Sequence, residues 1–139
     1  FTVIATRLGR RIGFGLSFLA AYLVVSGVFL TLRTEWQAYL MLPMVGFVTL
    51  SVFGGYSIYF PEIYPTRLRS TGTAFCYNVA RILTAAIILL GAPLQRLLQS
   101  MGIGEVFRWG AVILCSFYFL GLIALFWAPE TKDRPLPED

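Results

Sequence analysis

The polar side chains between residues 61 and 81 are the ones whose types and spacing could do chemistry. The stretch reads PEIYPTRLRSTGTAFCYNVAR and joins a short polar loop to a long apolar run. Its charged and amide side chains are Glu62, Arg67, Arg69, Asn78 and Arg81. Carboxylates and guanidiniums at this density can form ion pairs that open and close, and an arginine in an apolar run can bind a polar ligand.

Arg81 lies about nine residues into a predicted membrane span, roughly 14 Å from its end. A charge at that depth costs about 2.5–3.5 kcal/mol on insertion, so it needs a partner. Asn78 lies one turn earlier and Thr84 one turn later on the same helical face. One interpretation is a substrate or gating site, where Arg81 binds an anion, a sugar hydroxyl or a partner carboxylate. The alternative is a permanent structural pairing with carbonyl groups or an acid.

A second group of charges is predicted at one side of the membrane. Glu62 and Arg69 flank a YPT turn, and Arg10, Arg11 and Glu130 lie on the same predicted side. Opposite charges there can form a network that closes one face of a membrane protein in one state and opens in another. The alternative is a solvated basic loop, because exposed ion pairs contribute only about 0–1 kcal/mol. The charged tail favours the network.

The composition is that of a membrane protein. The 139 residues are 58% hydrophobic and 13% charged, with a mean hydropathy of +0.75, whereas soluble domains are about a quarter charged. There is no histidine, and Cys76 and Cys115 stand apart in apolar runs, so neither an enzyme, a metal site nor a cofactor is expected. The net charge of +4 is distributed between apolar segments, so no nucleic-acid partner is expected.

Four apolar segments are long enough to cross the about 30 Å hydrocarbon core of a bilayer. They cover residues 12–32, 38–60, 72–92 and 107–127, and a polar tail follows at residues 128–139. The predicted fold class is therefore an all-α polytopic bundle of four spanning helices. The connection at residues 93–106 is predicted to hold a short amphipathic helix lying on the membrane surface.

The basic residues predict the orientation of these spans. Seven of them lie on one side of the membrane: Arg7, Arg10, Arg11, Arg67, Arg69, Lys132 and Arg134. Three lie on the other side: Arg33, Arg96 and Arg108. Because cytoplasmic loops carry the excess of Lys and Arg, both ends of the chain are predicted to be cytoplasmic.

Polar residues are concentrated in the second and third spans, which are therefore expected to line a cavity. The candidate lining residues are Gly55, Tyr56, Tyr77, Asn78 and Arg81. The Gly54–Gly55 pair fits close helix packing as well as a bend beside a substrate. The first and fourth spans are nearly all apolar and are expected to be lipid-facing supports. With only two polar faces, the four spans are expected to be part of a larger bundle.

Three motifs resemble the major facilitator superfamily, in its sugar-porter and metabolite–proton symporter branches. TRLGRR, residues 6–11, resembles the DRxGRR loop between the eighth and ninth spans of that family. PEIYPTRLR, residues 61–69, resembles the loop after the tenth span, and PETKDR, residues 129–134, resembles the PETKGR motif after the twelfth. The resemblance implies that the four predicted spans are the ninth to twelfth of a twelve-helix transporter.

The resemblance also implies residue roles. It places Glu62, Arg69, Arg10, Arg11 and Glu130 in a cytoplasmic salt-bridge network that holds the outward-facing state. Thr6 stands where the family has aspartate, and Asp133 replaces a glycine of the tail motif. The second span carries GGYSIYFPE instead of the Pro-rich, Trp-containing signature of sugar porters. This departure, with the YNxxR run of the third span, favours the organic-acid and metabolite symporters.

The chain is therefore expected to be part of a secondary active transporter in the inner or plasma membrane. The expected partners are a small substrate (an organic acid or a sugar), a coupling proton, the lipid bilayer and the N-terminal half of the same transporter. The start of the sequence also points to that missing half, because Phe1 stands in the middle of an apolar segment. The alternative is a small autonomous four-span scaffold or assembly subunit without transport activity.

Overall fold

A computed structural model describes residues 1–132 and 137 of the chain, and the secondary structure of these residues is helical. The helices are α1 (Thr2–Leu8), α2 (Arg10–Thr31), α3 (Glu35–Ile63), α4 (Arg69–Ser100), α5 (Val106–Cys115) and α6 (Phe117–Ala124). Within the described residues, four segments are long and apolar enough to cross a membrane, namely α2, α3, α4, and α5 together with α6. The predicted all-α bundle of four spanning helices is confirmed.

Local sequence signals explain where several helices begin and end. Gly9, with φ of 104°, separates α1 from α2 in a conformation that other residues rarely adopt. The side chain of Thr34 accepts a hydrogen bond from the backbone of Gln37, whose own side chain returns to the Thr34 backbone. This reciprocal capping box begins α3. At the other end of α3, Pro65 disfavours helical geometry at Tyr64, and the helix ends at Ile63.

The helix that contains the third predicted span extends beyond residues 72–92 at both ends. Helix α4 starts at Arg69 and continues through Pro93 to Ser100, so the separate surface helix predicted for residues 93–106 is the end of α4. Proline removes one backbone N–H, yet spanning helices tolerate it where neighbouring groups stabilise the helix. Beyond the proline, Leu98 is buried and its side chain lies beside Gly110 of α5. This packing continues the helix.

The fourth predicted span, residues 107–127, is divided in the structure. Helix α5 ends at Cys115 and α6 begins at Phe117. The N–H of Ser116 bonds to the carbonyl of Ile113, and the N–H of Phe119 bonds to that of Ser116, at 3.0 and 2.9 Å. These three-residue spacings tighten the helix locally, as in a 3₁₀ turn. Periodicity in an apolar run does not reveal such a change.

Helix α2 is the most buried of the spans, and α4 is the least buried. Phe14 and Phe18 of α2 form the core with Val52 and Tyr59 of α3. The expectation that the first span is mainly a lipid-facing support is wrong for much of its surface. Its exposed face is one stripe of leucines at helical spacing: Leu16, Leu19, Leu23 and Leu30. The rest packs on α3, α5 and α6 because a helix that is apolar all round can bury several faces.

Gly55 is a packing residue between α3 and α2 in this structure. It is buried, and a Cβ placed there would lie 2.6 Å from the ring of Phe14 and 2.8 Å from that of Phe1. A Cβ placed on Gly54 would meet no neighbouring group within 4 Å. Of the two roles that the sequence left open for this glycine pair, the surroundings of Gly55 favour close helix packing.

We expect Gly55→Ala to destabilise the protein by about 1–3 kcal/mol, the usual cost of overpacking a close contact. The check is the thermal unfolding of purified full-length protein in detergent. Gly54→Ala is the matched control and should unfold at the wild-type temperature or above it, because alanine is the better helix former. An equal loss of stability in both variants would contradict the packing role of Gly55.

Candidate functional site

A charge cluster lies where α2 begins, α3 ends and the chain leaves α6. We define it as Arg10, Arg11, Glu62, Glu130 and Thr131. These residues come from three motifs that are far apart in the sequence, and the fold brings them to one end of the bundle. The cluster is the candidate functional site.

Arg10 and Glu62 form a two-pronged ion pair at the centre of the cluster. Nε of Arg10 donates to Oε2 of Glu62 at 3.1 Å, and Nη2 donates to Oε1 at 2.7 Å. The two side chains are only 14% and 18% exposed. Thr131 adds a hydroxyl donor to Oε2 of Glu62 at 2.6 Å. Bidentate pairing with little solvent makes this contact stronger than an ordinary surface pair.

Glu130 caps the N-terminus of α2 from the far end of the chain. Its Oε1 accepts the backbone N–H of Arg10 at 2.8 Å, and its Oε2 accepts that of Arg11 at 3.1 Å. Gly9 precedes the helix and has no side chain to offer as a cap. A Cβ at Gly9 would lie 2.8 Å from Oε2 of Glu130. Glycine at this position therefore leaves room for the carboxylate on the first helical turn.

The charges of the cluster are unfavourable for the dipoles of their own helices and favourable for one another. Arg10 and Arg11 lie at the N-terminus of α2, where a cation is unfavourable, and Glu62 lies near the C-terminus of α3, where an anion is unfavourable. Neither position helps its own helix. The pairing of Arg10 with Glu62 and the capping by Glu130 offset both penalties. Separating the ends of α2 and α3 would expose both penalties again.

Further contacts join the tail to the helices. The hydroxyl of Tyr59 donates to the carbonyl of Pro129 at 2.7 Å, and Nζ of Lys132 donates to that of Arg7 at 2.8 Å. Nη2 of Arg11 reaches the carbonyl of Phe126 at 3.3 Å. Sequence reasoning missed Tyr59 and Thr131. Thr131 directly follows Glu130 in the tail motif, and this position was the available signal.

Arg69 binds the last turn of α3 and the loop that follows it. Its Nε donates to the carbonyl of Pro61 at 3.0 Å, and its Nη2 donates to Oγ1 of Thr66 at 3.4 Å. In the described part of the chain, the ion pair of Glu62 is made with Arg10 instead. The loop returns Arg69 to the last turn of α3, whose carbonyls lack helical partners and attract a cation. The predicted role of Arg69 in the cytoplasmic network stays a prediction.

Arg81 and Asn78 lie on the exposed surface of α4, one helical turn apart. Arg81 is twelve residues after the start of α4 at Arg69, about 18 Å along the helix. Nδ2 of Asn78 donates to the carbonyl of Ala74 at 2.8 Å. Within the described residues, no acid lies within ion-pair distance of Arg81. The guanidinium of Arg81 is therefore available to a partner from outside the described residues.

The other candidate lining residues lie in a row of aromatic rings. Tyr56 stacks on Phe60 at 5.1 Å with parallel planes and contacts the ring of Phe14 at 5.2 Å. Tyr77 of α4 meets Phe60 edge-on at 5.5 Å. These contacts join α2, α3 and α4 at the level above the charge cluster. Among the described residues, no group of His, Cys, Asp and Glu could hold a metal ion.

The carboxyl of Glu130 is held in its charged form by its surroundings. Burial by itself would raise its pKa, but backbone N–H donors, chiefly those of Arg10, Arg11 and Lys132, lower the pKa below its ordinary value of 4.5. A group with a lowered pKa in the folded state stabilises the fold fully above its ordinary pKa. That stabilisation is lost as the pH falls through the lowered value.

We expect Glu130→Gln to lower stability by about 1–2 kcal/mol at neutral pH, since it weakens the cap on α2. The difference from wild type should shrink below the ordinary pKa of 4.5 and disappear below the lowered pKa. Thermal unfolding of the purified protein across acidic and neutral pH measures this. Glu35→Gln is the control: Glu35 is exposed in the first turn of α3, where its interaction with the helix dipole is weak, so its pH-dependent difference should be smaller. A constant difference at every pH would contradict the cap.

The fold and the site together define a polytopic membrane protein whose helix ends are joined by a charge cluster. The family model described as sugar (and other) transporter matches residues 1–138, and the chain belongs to this family. This confirms the resemblance to the major facilitator superfamily. The family consists of transport proteins, which confirms the prediction that the chain is not an enzyme. No solved structure matches the chain.

Three curated relatives are similar to the chain. It is 38% identical to the inner membrane metabolite transport protein YhjE of Escherichia coli over 85 residues, which are 60% of the chain and 18% of that protein. A putative metabolite transport protein of Haemophilus influenzae is 29% identical over 60% of the chain and 17% of its own length. A probable 4-methylmuconolactone transporter of Cupriavidus pinatubonensis is 28% identical over 93% of the chain and 29% of its own length. The chain thus spans less than a third of each relative.

Proposed function

We propose that the chain forms the ninth to twelfth spans of a secondary active transporter for a small polar metabolite. The observation that supports this proposal is the charge cluster. In it, the bidentate pair of Arg10 with Glu62 and the cap of Glu130 on α2 join three helix ends. Each contact depends on the helix ends being close together. The cluster therefore favours one arrangement of the spans and is lost when they separate, which is the behaviour of a gate.

The gate closes the cytoplasmic face in the outward-facing state. Seven Lys and Arg on the side of the cluster, against three on the other side, favour a cytoplasmic position. Alternating access requires contacts that exist on one face in only one state. A pair that is mostly shielded from water but formed by two oppositely charged groups meets this need, because both groups can be hydrated once separated.

Arg81 and Asn78 are the proposed substrate contacts on α4. An exposed guanidinium far inside an apolar helix requires a polar partner, and the described residues supply no acid. An organic acid, or a sugar with hydroxyl acceptors, would supply one. Two relatives are named as metabolite transport proteins and the third as a probable transporter of a muconolactone. The transport is proposed to be coupled to protons.

The alternative is a four-span scaffold without transport activity. Uptake of labelled organic acids and sugars into vesicles containing the full-length protein distinguishes the two. A transporter should accumulate at least one substrate, and acidifying the outside should increase accumulation if protons are coupled. Vesicles with no uptake of any tested substrate, despite correctly inserted protein, would support the scaffold. Uptake that ignores the proton gradient would contradict proton coupling alone.

A further inference from the structure

Arg108 joins two parts of the chain at the end of the bundle opposite the charge cluster. It lies in the first turn of α5. Its Nη2 donates to the carbonyl of Leu32 at 2.8 Å, across 76 positions of sequence. Its Nη1 pairs with Oε1 of Glu105 at 2.6 Å. The Arg108 side chain is only 19% exposed, so its contacts are largely shielded from solvent.

The carbonyl of Leu32 is a group that needs a donor. Leu32 is the C-terminal cap of α2, and the last carbonyls of a helix have no partner within it. They also carry the negative end of the helix dipole, so a guanidinium there is favourable. Arg108 supplies both the hydrogen bond and the positive charge from a different span.

Glu105 is arranged to hold Arg108 in this position. It is the residue before α5 and has a left-handed backbone with φ of 52°, which is uncommon for a residue other than glycine. Its side chain does not cap its own helix, and its carboxylate binds Arg108 instead. The acid also offsets the unfavourable position of a cation at the N-terminus of α5. The local geometry therefore serves the contact with α2.

Helix α2 is thus attached at both ends to residues that flank the last span. Glu130, after α6, caps its N-terminus, and Arg108, at the start of α5, caps its C-terminus. The sign of each charge matches the dipole of α2 at that end. Between the two ends, Gly121 of α6 lies close to the ring of Phe18, where an added Cβ would be 3.0 Å from a ring atom.

We propose that Arg108 is a positioning residue that fixes the C-terminal end of α2 to the last span. With it in place, the C-terminal end of α2 and the start of α5 keep a fixed distance from each other at the end of the bundle opposite the charge cluster. Its consequence for transport rests on the proposed function, but the attachment itself does not. The charge cluster joins the N-terminal end of α2 to Glu62 and Glu130 in the closed state, and Arg108 continues to hold the C-terminal end of α2 when the cluster opens.

The attachment can be measured as a distance between spin labels in the full-length protein in nanodiscs. Native Cys76 and Cys115 are first replaced by serine. One label pair, at Leu30 and Ile113, reports the Arg108 end, and both positions are exposed. A second pair, at Leu16 and Ile123 and also exposed, reports the end near the charge cluster. Neither measurement requires transport activity, so a failure of the proposed function would not affect the result.

We expect Arg108→Met to broaden the distance distribution of the first pair about twofold and leave the second pair unchanged, because one helix end is released. Arg108→Lys, which retains a donor for the carbonyl of Leu32, should restore most of the narrow distribution. Arg96→Met is the control, since Arg96 is an exposed arginine near the same end. Unchanged distributions in Arg108→Met, equal broadening at both ends, or the same broadening in Arg96→Met would overturn the proposal. If Arg108→Met does not fold, the lysine variant decides: a distribution as narrow as wild type or modestly wider supports the attachment, and a fully released end overturns the role of the donor.

Discussion

Replacing Arg81 by alanine in the full-length protein is expected to lower substrate uptake by roughly 30-fold or more while the protein still reaches the membrane. Removing one partner of a desolvated, hydrogen-bonded charge pair costs about 2–5 kcal/mol. The substrate would lose its cationic partner in the apolar region of α4, about 18 Å from the start of that helix. No acid among the described residues competes for this guanidinium.

Arg81→Lys tests whether the shape of the guanidinium is needed as well as its charge. Lysine keeps the positive charge but lacks the planar fork that binds a carboxylate through two parallel hydrogen bonds. We therefore expect uptake to be lost in the lysine variant too, mainly through a higher Michaelis constant. Asn78→Ala should have a smaller effect, because the Asn78 amide already bonds to the carbonyl of Ala74.

The measurement is initial uptake rate at several substrate concentrations, with membrane insertion followed by surface labelling. Arg96→Ala is the matched control, since Arg96 is an exposed arginine on the same helix. Normal transport by Arg81→Ala would show that Arg81 is not a substrate contact. Loss of insertion in the alanine and lysine variants together would assign Arg81 to folding and contradict its role in binding.

Glu62→Gln is expected to shift the protein from outward-facing toward inward-facing states. The variant keeps the shape of the side chain but loses the negative charge that binds Nε and Nη2 of Arg10. Hydrogen bonds to charged groups contribute about 1.5–3 kcal/mol each, so the ratio of the two states should change by roughly 10- to 100-fold. The effect is large because the pair has little solvent around it to replace the lost contact.

Alkylation of native Cys76 by a membrane-impermeant maleimide can report this shift, once Cys115 is replaced by serine. Cys76 is half-buried near the start of α4, so its reactivity from the cluster side should rise in Glu62→Gln. Glu35→Gln, which changes an exposed acid at the other end of α3, should leave it unchanged.

Arg10→Gln should have the same effect as Glu62→Gln, and the double variant should add little to either, since both lose one interaction. Additive effects would indicate that the two residues act separately. Unchanged reactivity of Cys76 in all three variants would count against the charge cluster as a gate.

The sequence by itself determined the class of fold. Hydropathy acts over one helix length, so four apolar runs of about 20 residues specify four spans wherever they pack. The three charged motifs could also be read directly, and with them Arg10, Glu62 and Glu130. Two helices differ in extent from the predicted spans for a local reason. Helix α4 passes Pro93 because Leu98 packs on α5, and the last span tightens at Ser116.

Only the tertiary structure decided which charges meet. Glu62 lies seven positions from Arg69, yet its partner is Arg10, 52 positions away, and Glu130 reaches the first turn of α2 across 120 positions. Sequence spacing cannot rank such partners, because the choice depends on which helix ends the packing brings together. The same holds for Gly55, whose role depends on the rings of Phe1 and Phe14, and for Arg108, whose acceptor is a backbone carbonyl. A main-chain acceptor has no signature in the sequence, because every residue carries one.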